Sequence, residues 1–566
     1  MLAWVAWSAA GVMVLTSTSA LIGQEIAAIP LLWIIPLLLY LLTWIVAFAG
    51  GRLPHTAGRC GLILASLVLI LPALDPGLKM SLPLRLGGAL AAMTLACLAI
   101  HSALYHRRPE KHQLTHFYAA IAGGGMLGGI LAGVVAVQVF DDWRDVGLAY
   151  GLAAALCCGD LVRRPGTAGT RRVLSYGTIA LMIAICIRVF AVTGMERPGL
   201  LYKNRDFHGL VRVVEEGVDD PIRHRLVLYS GSTVHGMQLM DPRLRTLPTT
   251  YFGRGTGAQF AIRSQRSLTH GRRGLKIGVV GLGAGTLAAH LREEDTMRFY
   301  EINPVIAEIA QGGGPRGNAG AHFSYLSDAP GKVEVVLGDA RICLAAELQS
   351  APRGNAYDLL LLDAFAGDAV PMHLLTSEAF DLYTRHLAPG GMMAVHVSSN
   401  WLDLMPVIYA WAQAEDWEAL TISTRAAADG VSGAHAVWVL LFRGIDTMRA
   451  LAGECRPMMA SGGIIVQNRQ NVTWGDLRPW TDDHCDLLAL MRTRIRLRDL
   501  PPSAQAAAGT GHSAISATRP VSSHRIPPSP GDRSTFPMLP SDRRHPARSR
   551  RPREGPRRGL HHRAAS

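Results

Sequence analysis

The stretch Leu275–Asn303, LKIGVVGLGAGTLAAHLREEDTMRFYEIN, constrains this chain most. A short apolar run, Leu275–Val280, reads as a buried parallel strand. It feeds into Gly281, Gly283 and Gly285, and then into Thr286–Arg292, which reads as the start of a helix. A second apolar run, Met297–Ile302, carries Glu301. Strand, glycine turn, helix and strand form the front end of a nucleotide-binding βαβ unit. Glycines let the backbone approach a ligand where a Cβ would clash, and an acid about 20 positions on can accept hydrogen bonds from ribose hydroxyls. The spacing is G-x-G-x-G, and Thr286 stands where the dinucleotide fingerprint has its third glycine. That form fits a fold of the S-adenosylmethionine type better than an NAD fold.

The alternation of strand and helix continues. Pro304 opens a helix over Val305–Ala310, and a glycine-rich loop follows, Gly312–Gly320. Lys332–Leu337 is a strand ending before Asp339, and Tyr357–Asp363 is another. Ser377–Leu387 reads as an amphipathic helix, Gly391–Val397 as a strand, and Ala419–Ser423 and Ala436–Phe442 bring the count to about seven. Strands separated by helices imply a parallel sheet, whose ligands bind at the carboxyl ends of the strands. Gly281–Gly285, Glu301, Asp339 and Asp363 all fall at such ends. Upstream, Leu201–Gln259 alternates apolar and polar residues as hairpin strands do.

The first 195 residues differ in kind. Apolar segments at Leu2–Ile22, Ile29–Ala49, Gly61–Leu74, Leu82–Leu104, Phe117–Phe140, Val146–Val162 and Val173–Thr193 give about seven transmembrane spans, with Gly61–Leu74 and Val146–Val162 short. Small residues four apart, Gly124/Gly128, Gly125/Gly129 and Gly129/Gly133, allow close helix packing. Charges within the spans are scarce, which argues against a proton-coupled transporter. The organisation expected is therefore a transmembrane helical domain at 1–195, a small β-rich domain at 200–260, a Rossmann-like domain at 270–495 and a disordered basic tail at 501–566.

The formal charge of +13 is mostly the tail's, whose twelve Arg against three acids give a net +9. The folded part is thus close to neutral, and a nucleic-acid partner is not expected. The tail could touch anionic lipid. Eight cysteines form no C-x-x-C pair, and no His/Cys/Asp spacing suggests a metal site. Arg52, Arg59, Arg107, Arg108, Lys111, Arg163, Arg164, Arg171 and Arg172 lie in alternate loops, which the positive-inside rule puts in the cytoplasm. With seven spans, everything after Thr193 would then lie outside. A cofactor made in the cytosol argues the opposite, and the expectation is an inner-membrane protein whose soluble part faces the cytoplasm.

The stretches FHGLVRVVEE, STVHGMQ, LPTTYF, VVGLGAGTLAA, FYEINP, LLLDAFAGDAVPMHLLTSEAFDLY, LAPGGMMAVHVSSNWLDL and PWTDDH, with IPLLWIIPLLLYLLTWIVAFAG and LTHFYAAIAGGGMLGG upstream, together resemble the membrane-fused, spermidine synthase-like family on the S-adenosylmethionine methyltransferase fold. The resemblance implies aminopropyl transfer from decarboxylated S-adenosylmethionine to a small-molecule amine such as putrescine, without a metal. It implies that Gly281, Gly283 and Gly285 cradle the sulfonium cofactor, Glu301 holds the ribose diol and Asp339 faces the adenine. Asp363 becomes the candidate base, Gln238 and Tyr251 belong to the amine pocket, and Asp368 could hold a distal ammonium, as could Asp482 or Asp483. Three departures weaken the diamine half. Asp363 and Asp368 are five apart where the polyamine enzymes have two aspartates three apart, Ala284 replaces a frequent Asp, and Phe252 follows Tyr251 where a glutamate is expected. Methyl transfer from S-adenosylmethionine, or a non-catalytic membrane transporter or sensor, are the alternatives. His235, His373 and His396 lie in the resembling stretches and could each be a pocket residue, although lone histidines are more often structural. A homo-oligomer is left open.

Overall fold

The computed structural model describes residues 1–490 except 27–30, 50–53, 76–77, 79, 164–168, 196–197, 270, 272, 313–322, 365–370, 400–401, 426–433, 469–477 and 488–489. Asp368, most of the Gly312–Gly320 loop and the tail at 501–566 lie outside the described residues.

The N-terminal third is helical: α1 (Leu2–Leu21), extended by a π-helical turn to Ile26, α2 (Ile34–Phe48), α3 (Thr56–Leu74), α4 (Leu82–Tyr105), α5 (Leu114–Ile130), which runs through a second π-helical turn into α6 (Ala136–Val139), α7 (Arg144–Arg163) and α8 (Gly169–Thr193). Among the described residues, six stretches are long and apolar enough to cross a membrane. The expected short spans prove long enough, because their helices begin earlier, at Thr56 and Arg144. The short helix is instead α2, whose 15 residues fall below the length of about 20 that a span needs.

Of the three small-residue rows, Gly124/Gly128 makes the close contact between α1 and α5. A Cβ on Gly128 would lie 2.4 Å from the Ala9 carbonyl oxygen, and one on Gly124 2.5 Å from that of Val5. Gly125, Gly129 and Gly133 have ordinary room. At one end of the bundle Arg59 and Arg107 gather on Asp160, and Trp4 donates to the Arg107 carbonyl at 3.0 Å. The basic connections seen in the sequence join helices at this end.

The opposite end meets a four-stranded antiparallel sheet in the order β1 (Leu200–Asp206), β2 (Gly209–Glu216), β3 (Arg225–Ser230) and β4 (Thr233–Leu239). Ion pairs cross the junction: Arg212 to Glu25 at 3.0 Å and Lys203 to Asp142 at 3.1 Å.

The remainder is an α/β layer structure. After α9 (Gly257–Leu268) come β5 (Lys276–Val280), β6 (Thr296–Glu301), α10 (Pro304–Ala310), β7 (Lys332–Leu337), α11 (Ala340–Ser350), β8 (Tyr357–Leu362), α12 (Ser377–Arg385), β9 (Leu387–His396), α13 (Met405–Ala414), β10 (Glu418–Thr424), β11 (Ala436–Phe442), α14 (Ile445–Ala460) and β12 (Ile464–Asn468). Among the described residues these strands form one sheet in the order β12-β10-β11-β9-β8-β5-β6-β7. Successive side chains alternate between its faces. Ile277, Val279, Leu359 and Leu361 pack with α9 and α14, and Val280, Leu360 and Leu362 pack with α11, α12 and α13.

Two expectations fail here. The sheet is mixed, not parallel: β5 to β9 run parallel, but β11 is antiparallel to β9 and β10, and β12 is antiparallel to β10. The helix α13 carries the chain over from β9 to β10. Only residues 425–435 join β10 to β11, shorter than the dozen or more residues that a parallel crossover needs, so β11 fills the gap between them in the reverse direction. The helix expected at Thr286–Arg292 is a five-residue 3₁₀ turn, Thr286–His290. The buried Asp295 carboxylate accepts from the backbone N–H groups of Arg292 (2.7 Å) and Leu275 (2.8 Å), drawing the short connection into a turn before a helix can form.

Candidate functional site

The parallel half of the sheet brings four of the expected features to one rim. The turn Gly281–Gly285 leaves β5, Glu301 ends β6, Asp339 follows β7 and Asp363 follows β8. Gly281 has φ 97°, and a Cβ there would lie 2.2 Å from the Asp363 carbonyl oxygen. The glycine is therefore required by the neighbouring backbone, and the glycine turn and Asp363 are in direct contact. A Cβ on Gly283 would meet the His235 carbonyl oxygen at 2.7 Å, which brings β4 of the small sheet against the same turn.

Glu301 is buried, and its two oxygens accept from the Leu282 N–H (3.0 Å) and the Asn303 N–H (2.8 Å). Burial pushes its pKa up and these N–H groups pull it down, with a net rise. The carboxylate is thus fixed to the glycine turn and keeps unused lone pairs. One oxygen of Asp339 caps α11 through the Ile342 N–H (3.0 Å), and the other lies 2.9 Å from His373 Nε2. The cap and His373 hold its pKa below the usual carboxylate value despite partial burial.

Asp363 pairs with His396, one of the three histidines in the resembling stretches. Leu362 stands opposite Val395 in the parallel β8/β9 ladder, so Asp363 and His396 follow side by side. The Asp363 Oδ1 lies 2.6 Å from His396 Nδ1, and His396 Nε2 lies 2.8 Å from Ser398 Oγ. The imidazole is sandwiched between Tyr251 (centroids 4.6 Å apart, 19° between planes) and Trp438 (4.7 Å, 23°). Burial pushes the pKa of Asp363 up, and His396 opposes that rise. Tyr251 thus reaches the site, and burial, then Asp363, drives its phenol well above the usual range. The other Asp363 oxygen makes no hydrogen bond among the described residues.

Two expected substrate residues have other work. The Gln238 side chain accepts from Ser324 N (2.9 Å) and donates to Ser324 Oγ (2.8 Å) and the Arg245 carbonyl (2.9 Å). Both its N–H groups are spent on protein partners, leaving a single oxygen lone pair for any ligand. Asp482 cannot serve as a free anchor for an ammonium, because Arg341 grips it through both nitrogens (2.7 and 2.6 Å) and Thr376 donates to it (2.8 Å). His235 contributes what Gln238 does not. Its Nε2 is buried without a hydrogen-bond partner among the described residues, and burial, with His396 nearby, lowers its pKa to about 4. The signal for His396 was its place at the end of a strand beside Asp363. Period and composition do not reveal which strands are neighbours. Among the described residues no cluster of His, Cys, Asp and Glu could hold a metal ion.

No family model matches the chain. Over 128 residues it is 30% identical to a polyamine aminopropyltransferase of Vibrio vulnificus (strain CMCP6), covering 22% of this chain and 38% of that relative. Over 123 residues it is 28% identical to a probable polyamine aminopropyl transferase of Bifidobacterium longum (strain NCC 2705), covering 21% and 23%. The matched stretch is thus less than two fifths of each relative's own length. The chain also resembles a solved probable spermidine synthase from Corynebacterium glutamicum ATCC 13032, at 14% identity and TM-score 0.35, covering 52% of this chain and 99% of that one. A spermidine synthase from Thermotoga maritima matches at 13% identity and TM-score 0.32, covering 55% and 87%. An apolar helical segment joined to an α/β fold with a mixed sheet and an acid-lined rim defines the class. Over the matched stretch the chain is similar to polyamine aminopropyltransferases, in keeping with the resemblance carried by its motifs.

Proposed function

We propose that this protein is a membrane-anchored aminopropyltransferase that moves an aminopropyl group from decarboxylated S-adenosylmethionine to an amine such as putrescine. One observation carries the reading. Asp363 presents a carboxylate oxygen free of described partners while its backbone touches the glycine turn that begins the nucleoside site. Base and donor site are thereby contiguous. The similarity to polyamine aminopropyltransferases supports the same reaction.

In this reading Glu301 accepts the ribose hydroxyls, and the turn Gly281–Gly285 lies under the sulfonium end of the donor. Asp339 would meet the adenine by exchanging its His373 contact. The amine lone pair attacks the propyl carbon next to the sulfonium. The C–S bond breaks, its electron pair stays on sulfur, and a neutral thioether leaves without needing an acid. Asp363 takes the proton from the new ammonium. Positioning two reactants can supply about 7–11 kcal/mol, and the base about 10²–10⁴-fold more. Tyr251 and the open His235 Nε2 line the acceptor side, and Asp368 would hold a distal ammonium.

Ala284 favours a second reading, methyl transfer from intact S-adenosylmethionine. It is a buried methyl packed against Gly236 where aminopropyltransferases often carry an acid. The two are separated by incubating the full chain in lipid nanodiscs with each donor and a panel of amines. Methylthioadenosine release with an aminopropylated amine supports the first reading. S-adenosylhomocysteine supports the second, and neither product from any acceptor overturns both.

A further inference from the structure

The Asp363–His396 contact carries a further step, which rests on the reading of Asp363 as the proton acceptor. A carboxylate can act as a base only while it is ionised, and burial favours its neutral form. We propose that His396 is a positioning residue that keeps Asp363 ionised and aims its free oxygen at the acceptor amine.

The proton inventory follows from the partners. An ionised Asp363 can only accept, so His396 Nδ1 carries the hydrogen of the 2.6 Å bond. Ser398 Oγ accepts the Val437 N–H at 2.8 Å, which fixes the serine in place. Its own hydrogen is then free to point at His396 Nε2, 2.8 Å away. The ring is thereby held in one orientation, with a partner at each nitrogen. Tyr251 and Trp438 clamp both ring faces and prevent it from turning. With Oδ1 committed to a ring that cannot move, the orientation of the other oxygen is set.

The other titratable groups around the pair do not do this. Burial, reinforced by Asp363, keeps the Tyr251 phenol neutral. Burial raises Glu301, and the charge on Asp363 adds to that rise. His235 and His435 are both pushed toward neutral by burial and then by His396. Among the described residues, only His396 favours the charged form of Asp363.

Two variants of the full chain in nanodiscs test the proposal. His396→Phe keeps a ring between Tyr251 and Trp438 but removes the donor, whereas His396→Asn keeps an N–H near Nδ1. The acid limb of kcat/KM should move up by about one pH unit in the Phe variant and stay near the parent's in the Asn variant. Nucleoside binding by calorimetry should be unchanged in both. An acid limb that does not move in His396→Phe overturns the proposal. Infrared titration of the carboxyl band that Asp363→Asn abolishes gives a readout independent of turnover. If the parent turns over no substrate but that band titrates higher in His396→Phe, the aminopropyl reading fails and the positioning role stands. If the band titrates alike in both, the positioning role fails.

Discussion

Arg205 on β1 and Asp145 at the start of α7 meet at 2.6 Å, with each side chain only 2% exposed. The guanidinium also donates to the Asp142 carbonyl at 2.9 Å and lies 4.0 Å over the Trp143 ring. With Glu25–Arg212 and Lys203–Asp142, this contact fastens the small sheet to the helical bundle. Removing one member of a buried pair leaves the other charge unpaired, at a cost of about 3–5 kcal/mol. Asp145→Ala should therefore lower the melting temperature of the protein in nanodiscs and speed proteolysis near residue 200. The double variant Asp145→Ala/Arg205→Met should recover much of the loss. A melting curve unmoved by Asp145→Ala would show that the pair does not hold the junction.

Base and donor site should separate by mutation. Asp363→Asn is expected to lower kcat by about 10²–10⁴-fold while leaving nucleoside affinity within a few-fold. Glu301→Gln is expected to do the reverse and weaken nucleoside binding by about 10–100-fold, since charge-assisted hydrogen bonds contribute about 1.5–3 kcal/mol. Calorimetry and steady-state kinetics on the two proteins check both statements. Equal loss of binding in both would mean that Asp363 holds the nucleoside.

Acid should destabilise the small sheet and the α/β part through their buried histidines. Burial holds His235 at about 4, and it also lowers His290 and His386. An unfolded histidine, with a pKa near 6.5, binds a proton that the folded one refuses. Stability is therefore full above about pH 6.5 and falls as the pH drops toward 4. For His235 the loss is about 3 kcal/mol at most. Melting curves from pH 8 to pH 4 should show this fall, and His235→Gln should flatten it. An unchanged slope in that variant would place the effect elsewhere.

The proposed reaction also commits the protein to one sidedness. A donor made in the cytosol requires the α/β part to face the cytoplasm. The basic connections, however, join helices at the end of the bundle away from the small sheet, and the positive-inside rule would put that end inside. A cysteine introduced at the exposed Val218 should be shielded from a membrane-impermeant maleimide in intact cells and react after lysis. Labelling in intact cells would follow the loop charges instead and leave the donor out of reach.

Some of this was legible in the chain and some was not. The turn Gly281–Gly285, the buried runs of β5, β6 and β8, and the acids at their ends are local signals, because backbone freedom and apolar burial are written residue by residue. The small-residue rows of α5 were also visible, but which row made the contact was not, since all three repeat at the same interval. Gln238 was read as a pocket residue, and its amide proved committed to Ser324 and Arg245, 86 and 7 residues away.

The sequence by itself therefore determined a membrane-length helical part, an α/β part and a glycine turn with Glu301 and Asp363 on one rim. Only the tertiary structure decided that β11 runs against β9, that His396 grips Asp363 and that the small sheet sits away from the basic loops. The reason is physical. Hydrophobic burial specifies that a strand is covered but not by which neighbour or in which direction. Hydrogen bonds between residues far apart in sequence form only after that choice has been made.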